Sequence, residues 1–303
     1  MGRQKWKARM ERSKFQMNLI KNFPMKQITS LGVGGPADYF CKPKNIPEIQ
    51  QGLQYAQEHE LPITIIGYGT NLLVTDKGIR GLVIQIADNF AQAGVEGTLI
   101  TATSGCLFNS ISRLAACHSL TGLEFAIGIP GSLGGAIYMN AGAYDGEIGP
   151  LIENITWATA EDVGIWDKNS YIYSYRYSRA QEEPVVIVKA HIRLEKGDQK
   201  TIYAKMKEFQ TKRHARQPFD QPSAGSTFKR PEGYYVGPMI EKLNLKGYTI
   251  GGAQVSKKHA GFIINTGNAT AQDILDLIAF IQKTVKEAHG IHLEPEIKII
   301  GER

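Results

Sequence analysis

Residues 122–149 read GLEFAIGIPGSLGGAIYMNAGAYDGEIG, a stretch with eight glycines and no lysine or arginine. Glycine is needed where the main chain takes positive φ or where a neighbour leaves no room for a Cβ, and strings of such turns point N–H groups at phosphate. A pyrophosphate can be held this way without a cation. A solvated glycine-rich loop is the alternative, but it would not interleave Phe125, Ile127, Ile129, Leu133, Ile137, Tyr138 and Met139. Those side chains belong against a core or a flat ring.

Around this segment lies a chain of 303 residues with 42% hydrophobic content, enough for two or three domains. The net charge is +6, yet Arg3, Lys5, Lys7, Arg9, Arg12 and Lys14 against Glu11 account for +5 of it. The body is nearly neutral, which speaks against nucleic acid as a partner. The basic tail, with Trp6, Met10 and Phe15, reads either as an amphipathic membrane-surface or RNA-binding helix or as a frayed or weakly packed terminus. Cys41, Cys106 and Cys117 show neither paired spacing nor a histidine ligand pattern, so neither disulfides nor a metal site are expected. With no bilayer-length apolar run and no signal-peptide pattern, the expectation is a cytoplasmic protein with no integral membrane segment.

Asn45, Pro47 and Glu48 open a helix to about residue 59, and residues 61–66 read as a buried strand. A βαβ unit closes at residues 81–86. Residues 98–103 read as a strand and 107–117 as a helix with Phe108, Ile111, Leu114 and Ala115 on one face. Tyr171, Tyr173, Tyr175 and Tyr177 alternate, which predicts one strand with an aromatic face and Arg176 on the other side. The run VVIVKAHIRL is a strong strand, followed by a polar helix over about 200–216. A linker at 217–222 leads to a strand at 262–265. The last helix is capped by Thr270 with Asp273, buries Ile274, Leu277, Ile278, Ile281 and Val285, and ends at Gly290.

Gly32-Val-Gly34 carries the letters of a dinucleotide fingerprint, but no buried strand precedes it and Pro36 sits where the helix would start. The specific signal is a set of motifs in order: Thr29-Ser-Leu-Gly-Val-Gly-Gly-Pro-Ala37, Gly67-Tyr-Gly-Thr-Asn-Leu-Leu73, Gly128-Ile-Pro-Gly-Ser-Leu-Gly-Gly135 with Asn140-Ala-Gly-Ala-Tyr144, Tyr175-Arg-Tyr-Ser178, Ala224-Gly-Ser-Thr-Phe-Lys-Arg-Pro231 and Leu293-Glu-Pro-Glu296. Together they resemble the UDP-N-acetylenolpyruvoylglucosamine reductase family, from about residue 22 to the end. The resemblance implies an α+β chain: the FAD-binding fold of the vanillyl-alcohol oxidase type in two lobes, with a C-terminal α+β substrate-binding domain. The expected division is a basic extension 1–18, a first lobe 19–88 joined by 296–303, a second lobe 89–197, and a substrate-binding domain 198–295.

The activity implied is reduction of an enolpyruvyl sugar nucleotide to UDP-N-acetylmuramate for peptidoglycan, with noncovalent FAD, NADPH as cosubstrate, and a monomeric enzyme. Hydride would reach the methylene carbon, and negative charge would build on the neighbouring carbon and its carboxylate. By motif, Arg176, Ser226 and Glu296 are the catalytic positions: Arg176 on the substrate carboxylate, Ser226 as proton donor, and Glu296 near the carboxylate, with Glu294 its rival. The FAD would lie on Tyr68, Gly69, Thr70, Asn71 and Leu72, on Gly128, Ile129, Pro130, Gly131, Ser132, Gly135 and Ala136, and on Asn140 and Gly142. Substrate contacts are assigned to Tyr175, Arg213, Lys229 and Arg230. Tyr68, Asp145 and Pro238 depart from residues frequent in the family, and the short span from Arg176 to Ser226 implies the branch without an extra tyrosine-bearing segment. The rivals are an oxidase or dehydrogenase of the same flavin superfamily and a nucleotide-binding scaffold without turnover.

Overall fold

A computed structural model describes residues 18–303. The basic tail of residues 1–17 lies outside them. The first sheet orders Ile20–Pro24, Pro36–Cys41, Ile79–Gln85 and Ile63–Ile66, antiparallel at the first pairing and parallel at the other two. Between its parallel strands runs the helix Ile46–Glu58. Asn45 fixes where that helix starts, its side chain accepting from the Glu48 N–H at 2.9 Å, with a proline in the first turn. Its buried Ile49, Leu53 and Ala56 share a core with Leu82 and Ile84. The strand expected to be buried at 61–66 is instead the edge strand Ile63–Ile66, with Ile63 and Ile65 exposed, because a continuous apolar run does not tell an edge from a centre.

The second sheet is antiparallel and orders Val163–Asp167, Ile152–Ala158, Val186–Arg193, Leu99–Thr103 and Ala93–Glu96. Onto the largest core pack the helices Phe108–Cys117, Leu133–Tyr138 and Gln199–Arg216. The last of these was expected to begin the substrate-binding domain, but its buried Ile202, Met206 and Phe209 belong to this second core. The chain leaves it only at residues 217–222, where irregular structure carries the two prolines.

The third sheet orders Ser223–Ser226, Phe262–Asn265, Ala253–Val255 and Thr249–Ile250, and the helix Ala271–His289 covers it. A capping box of Thr270 and Asp273 starts this helix, and Gly290 at φ +70° ends it. Its buried Ile274, Leu277, Ile278, Ile281 and Val285 are each worth about 2 kcal/mol of burial. The C-terminal domain is locked to the first lobe. Lys298–Ile300 pairs in parallel with Leu72–Val74, and the Asp76 carboxylate accepts from the N–H groups of Ala271 and Gln272 at the start of the helix, both at 2.9 Å. Among the described residues, no helix is long and apolar enough to cross a membrane.

Candidate active site

The alternating tyrosines form a tight hairpin and not one strand. Tyr173–Ser174 pairs with Tyr177–Ser178, and Tyr175 and Arg176 make the turn. Alternation is the same in one strand or in two short antiparallel ones, so periodicity alone could not see the reversal. Arg176 sits at φ +56°, a left-handed conformation that non-glycine residues rarely adopt, and its surroundings hold it there. Gln181 Nε2 donates to the Arg176 carbonyl at 3.1 Å and to the Tyr138 carbonyl at 2.7 Å, while Gln181 Oε1 accepts from Lys298 Nζ at 3.2 Å. Asn140 Nδ2 donates to the Ser174 carbonyl at 2.9 Å.

From this turn the Arg176 guanidinium crosses to the C-terminal domain. Its Nε donates to Glu296 Oε1 at 2.5 Å, and its Cζ lies 4.8 Å from the centre of the Tyr175 ring. Both partners are largely buried, 18% and 15% exposed at the side chain. Burial pushes the Glu296 carboxyl up; Arg176 and then Lys229 oppose that rise. Glu296 is fixed through its backbone, its N–H donating to the Thr227 carbonyl at 2.8 Å and its carbonyl accepting from Asn71 Nδ2 at 3.2 Å. The rival Glu294 turns away, its Oε1 paired with Lys229 Nζ at 2.5 Å.

Ser226 follows Gly225, whose φ of +78° turns the end of the strand outward. Its hydroxyl is exposed and has no hydrogen-bond partner among the described residues. Arg176, Ser226 and Glu296, spread over three elements, line one cleft of about 780 Å³ with Tyr175, Arg230 and Tyr235. Tyr175 Oη accepts from the Arg230 N–H at 3.1 Å, and the Arg230 guanidinium lies 3.9 Å from the Tyr235 ring centre. Lys229 and Arg213 do not line this cleft. Lys229 is held by Glu294, and Arg213 lies beneath Gly128, donating from Nη1 to its carbonyl at 2.9 Å. A Cβ at Gly128 would stand 2.3 Å from Arg213 Cδ, so the glycine admits the arginine and not a ligand.

The two glycine loops meet where Thr70 Oγ1 donates to the Pro130 carbonyl at 3.4 Å. In the loop of residues 67–71, which ends at Leu72, none of the five N–H groups has an acceptor among the described residues. Gly69 is at φ +65°, and a Cβ there would lie 2.2 Å from the Ile28 carbonyl oxygen. Tyr68 anchors the loop, its hydroxyl donating to the Gly105 carbonyl at 3.2 Å. Free donors on a backbone kept open by glycine fit a pyrophosphate.

The second loop differs from what its sequence promised. The N–H groups of Leu133 and Gly134 donate to the carbonyls of Cys106 and Ser104, and that of Gly135 to Ser132 Oγ. The Ser132 hydroxyl is a helix cap. Of residues 131–135, the amides of Gly131 and Ser132 have no acceptor among the described residues. Ile129 is half-buried and Ala136 buried, and the Ala136 N–H donates to the Ser132 carbonyl. Asn140 is wholly buried, all its side-chain bonds made to Glu147, Ser174 and Gly149, so it braces the Arg176 hairpin and the cleft wall. Gly142 lies on a small hairpin, Gly142–Ala143 with Gly146–Glu147, whose turn residues Tyr144 and Asp145 both take positive φ, +52° and +62°. That hairpin lines the cleft.

Sequence reasoning missed Gln181, Tyr235 and His259. The only available signal was local: a short Tyr-Tyr pair after a glycine, and a histidine in a turn between two strands.

The family described as UDP-N-acetylenolpyruvoylglucosamine reductase, C-terminal domain, matches residues 217–300, and the family described as FAD binding domain matches residues 37–162. The UDP-N-acetylenolpyruvoylglucosamine reductase of Caldanaerobacter subterraneus is 49% identical over 286 residues, 94% of each chain. That of Latilactobacillus sakei is 46% identical over 288 residues, 95% of each. The crystal structure of the Thermus caldophilus reductase superposes with a TM-score of 0.80 at 30% identity, covering 94% of this chain and 99% of that one.

Proposed function

This chain belongs to the UDP-N-acetylenolpyruvoylglucosamine reductase family, flavin oxidoreductases of peptidoglycan precursor synthesis, and we propose that it reduces the enolpyruvyl sugar nucleotide with NADPH, noncovalent FAD and a proton from Ser226. The observation that carries this reading is the convergence of Arg176, Glu296 and Ser226 on one cleft. When bound, FAD would supply two-electron chemistry, by which reducing equivalents from NADPH would reach the substrate's methylene carbon as hydride. The free amides of residues 67–71, with those of Gly131 and Ser132, would hold its pyrophosphate.

The chain's own residues do the rest. With Nε engaged by Glu296, Arg176 keeps both Nη groups for a bidentate grip on the substrate carboxylate, where charge grows as the double bond is reduced. Glu296 keeps the guanidinium plane fixed, and the raised carboxyl shares the developing charge once it holds a proton. Ser226 Oγ, with no hydrogen-bond partner among the described residues, gives its proton to the carbon beside the carboxylate and regains one from water. The same reading makes the protein a cytoplasmic monomer acting on a small sugar nucleotide.

Anaerobic half-reactions test this. NADPH should bleach the flavin bands, and the enolpyruvyl sugar nucleotide should restore them. Ser226→Ala should slow only the second step, by about 10²–10⁴-fold. Restoration by oxygen alone would select the oxidase reading, and a Ser226→Ala enzyme with normal reoxidation would remove the serine from the mechanism. Glu296 adds a pH signature. Because burial raises its folded pKa, the folded state binds more protons than the unfolded one between the ordinary carboxylate value and the raised one. Its contribution to stability therefore falls as pH rises through that window, and Glu296→Gln should flatten that part of a melting-temperature profile.

A further inference from the structure

Arg176 is tied to the C-terminal segment of the chain twice, and only one of the ties is its side chain. The guanidinium meets Glu296. The backbone carbonyl of the same residue accepts from Gln181 Nε2 at 3.1 Å, and Gln181 Oε1 in turn accepts from Lys298 Nζ at 3.2 Å. Lys298 stands two residues after Glu296, so Arg176, Gln181, Lys298 and Glu296 close a ring from one end of the arginine to the other. The polarity of the Gln181 amide is fixed by its partners. The carbonyls of Arg176 and Tyr138 need donors and the Lys298 ammonium needs an acceptor, so one orientation of the amide satisfies all three and its flip satisfies none.

Which of these bonds has a substitute shows what the clamp is for. The Tyr138 carbonyl, at the end of the helix Leu133–Tyr138, also accepts from Ser178 Oγ at 2.9 Å, so that helix end is satisfied without Gln181. The Arg176 carbonyl has no other donor among the described residues. It belongs to a residue at φ +56°, a turn conformation that ordinarily goes to glycine, and a residue with a side chain relaxes away from it when nothing holds it. The base from which Gln181 reaches is itself anchored. Ala180 is buried, Arg179 donates from Nη1 to the Ser170 carbonyl at 3.0 Å and from Nε to Glu183 Oε1 at 2.9 Å, and its guanidinium lies 5.0 Å from the Trp166 ring centre.

We propose that Gln181 is a positioning residue for the reduction: by holding the Arg176 carbonyl it keeps that residue left-handed, and so aims the guanidinium at Glu296 and at the substrate carboxylate. The inference rests on the reductase reading above. A change of φ at Arg176 swings its Cα–Cβ bond, and the long side chain magnifies the swing at the Nη groups. The loss falls where Arg176 acts, on the enolpyruvyl carboxylate as charge grows there, and leaves the loading of FAD and its reduction by NADPH untouched.

The test follows both half-reactions of the FAD-loaded enzyme with two replacements. Gln181→Leu removes the whole clamp, while Gln181→Glu keeps an acceptor for Lys298 and loses the two donor bonds. Each should slow flavin reoxidation by the enolpyruvyl sugar nucleotide about five- to twentyfold, with FAD occupancy and bleaching by NADPH near wild type. A cycle with Arg176→Lys separates positioning from a merely structural part. In that background Gln181→Leu should cost less than about twofold more, because the residue it positions has already lost its planar fork. Losses that multiply in full across the cycle overturn the proposal. So does wild-type reoxidation in Gln181→Glu, which would leave the Lys298 bond as the one that matters, and this variant carries the test alone if Gln181→Leu fails to fold. The wild-type control reports separately on the function: a wild-type flavin that NADPH bleaches and the substrate fails to reoxidise refutes the reductase reading itself.

Discussion

The loops at 67–71 and 131–135 look alike in sequence and differ in what their backbones do. Both are rich in glycine, both follow apolar runs, and both lack charge. Among the described residues the first leaves every amide free, and its Gly69 is forced by φ and by the Ile28 carbonyl. The second consumes three consecutive amides on Ser104, Cys106 and Ser132, with Gly134 pressed against Ser104. Glycine marks a close approach to the protein itself in both, to the Ile28 carbonyl in one and to the turn after Leu99–Thr103 in the other. Composition does not distinguish these; only the bookkeeping of donors does.

Four substitutions would break or sharpen the contrast. Gly69→Ala should have the largest effect: a left-handed residue with a Cβ against a carbonyl costs about 2 kcal/mol or more, and purified protein should carry FAD at well under half occupancy by absorbance. Full occupancy would mean the first loop is not the cradle. Gly134→Ala places a Cβ 2.9 Å from the Ser104 Cβ and should cost about 1–3 kcal/mol of fold stability, read as a lower melting temperature. FAD affinity of the folded protein should hold; a selective loss of flavin would make the loops equivalent. Ser132→Ala removes a helix cap and should cost about 1 kcal/mol, again in stability ahead of flavin affinity. Asp145→Gly is the smallest: easing one of two successive positive φ residues should stabilise the hairpin by about 0.5 kcal/mol, measured by denaturant midpoint.

The local rules of the chain were legible before any coordinates. Asn45 and Thr270 cap the helices they were expected to cap, and the buried stripe from Ile274 to Val285 lies as its period requires. The motif residues Arg176, Ser226 and Glu296 do reach one cleft. What stayed hidden was long-range. The Arg176–Glu296 pair joins residues 120 apart, and nothing local announces it. The tyrosine alternation concealed a turn, and the helix Gln199–Arg216 gave no sign of which core it serves. Arg213 and Lys229 were read as substrate cations from charge and proximity in sequence. Their partners, Gly128 and Glu294, show that a cation's neighbours in space decide its work.

The seam between Leu72–Val74 and Lys298–Ile300 has a consequence for the birth of the molecule. Asn71 reaches Glu296 across 225 residues, and Asp76 caps a helix 195 residues later. During synthesis the first lobe emerges with a bare strand edge and an unanswered carboxylate, and both wait for nearly the whole chain. Contacts of such separation form late and slowly. The loop that would seat the cofactor and the carboxylate that orients Arg176 are therefore finished by the same closing step. A nascent chain halted before residue 296 contains both glycine loops and the Arg176 hairpin, yet lacks the carboxylate that pairs with Arg176 and the strand that pairs with Leu72–Val74.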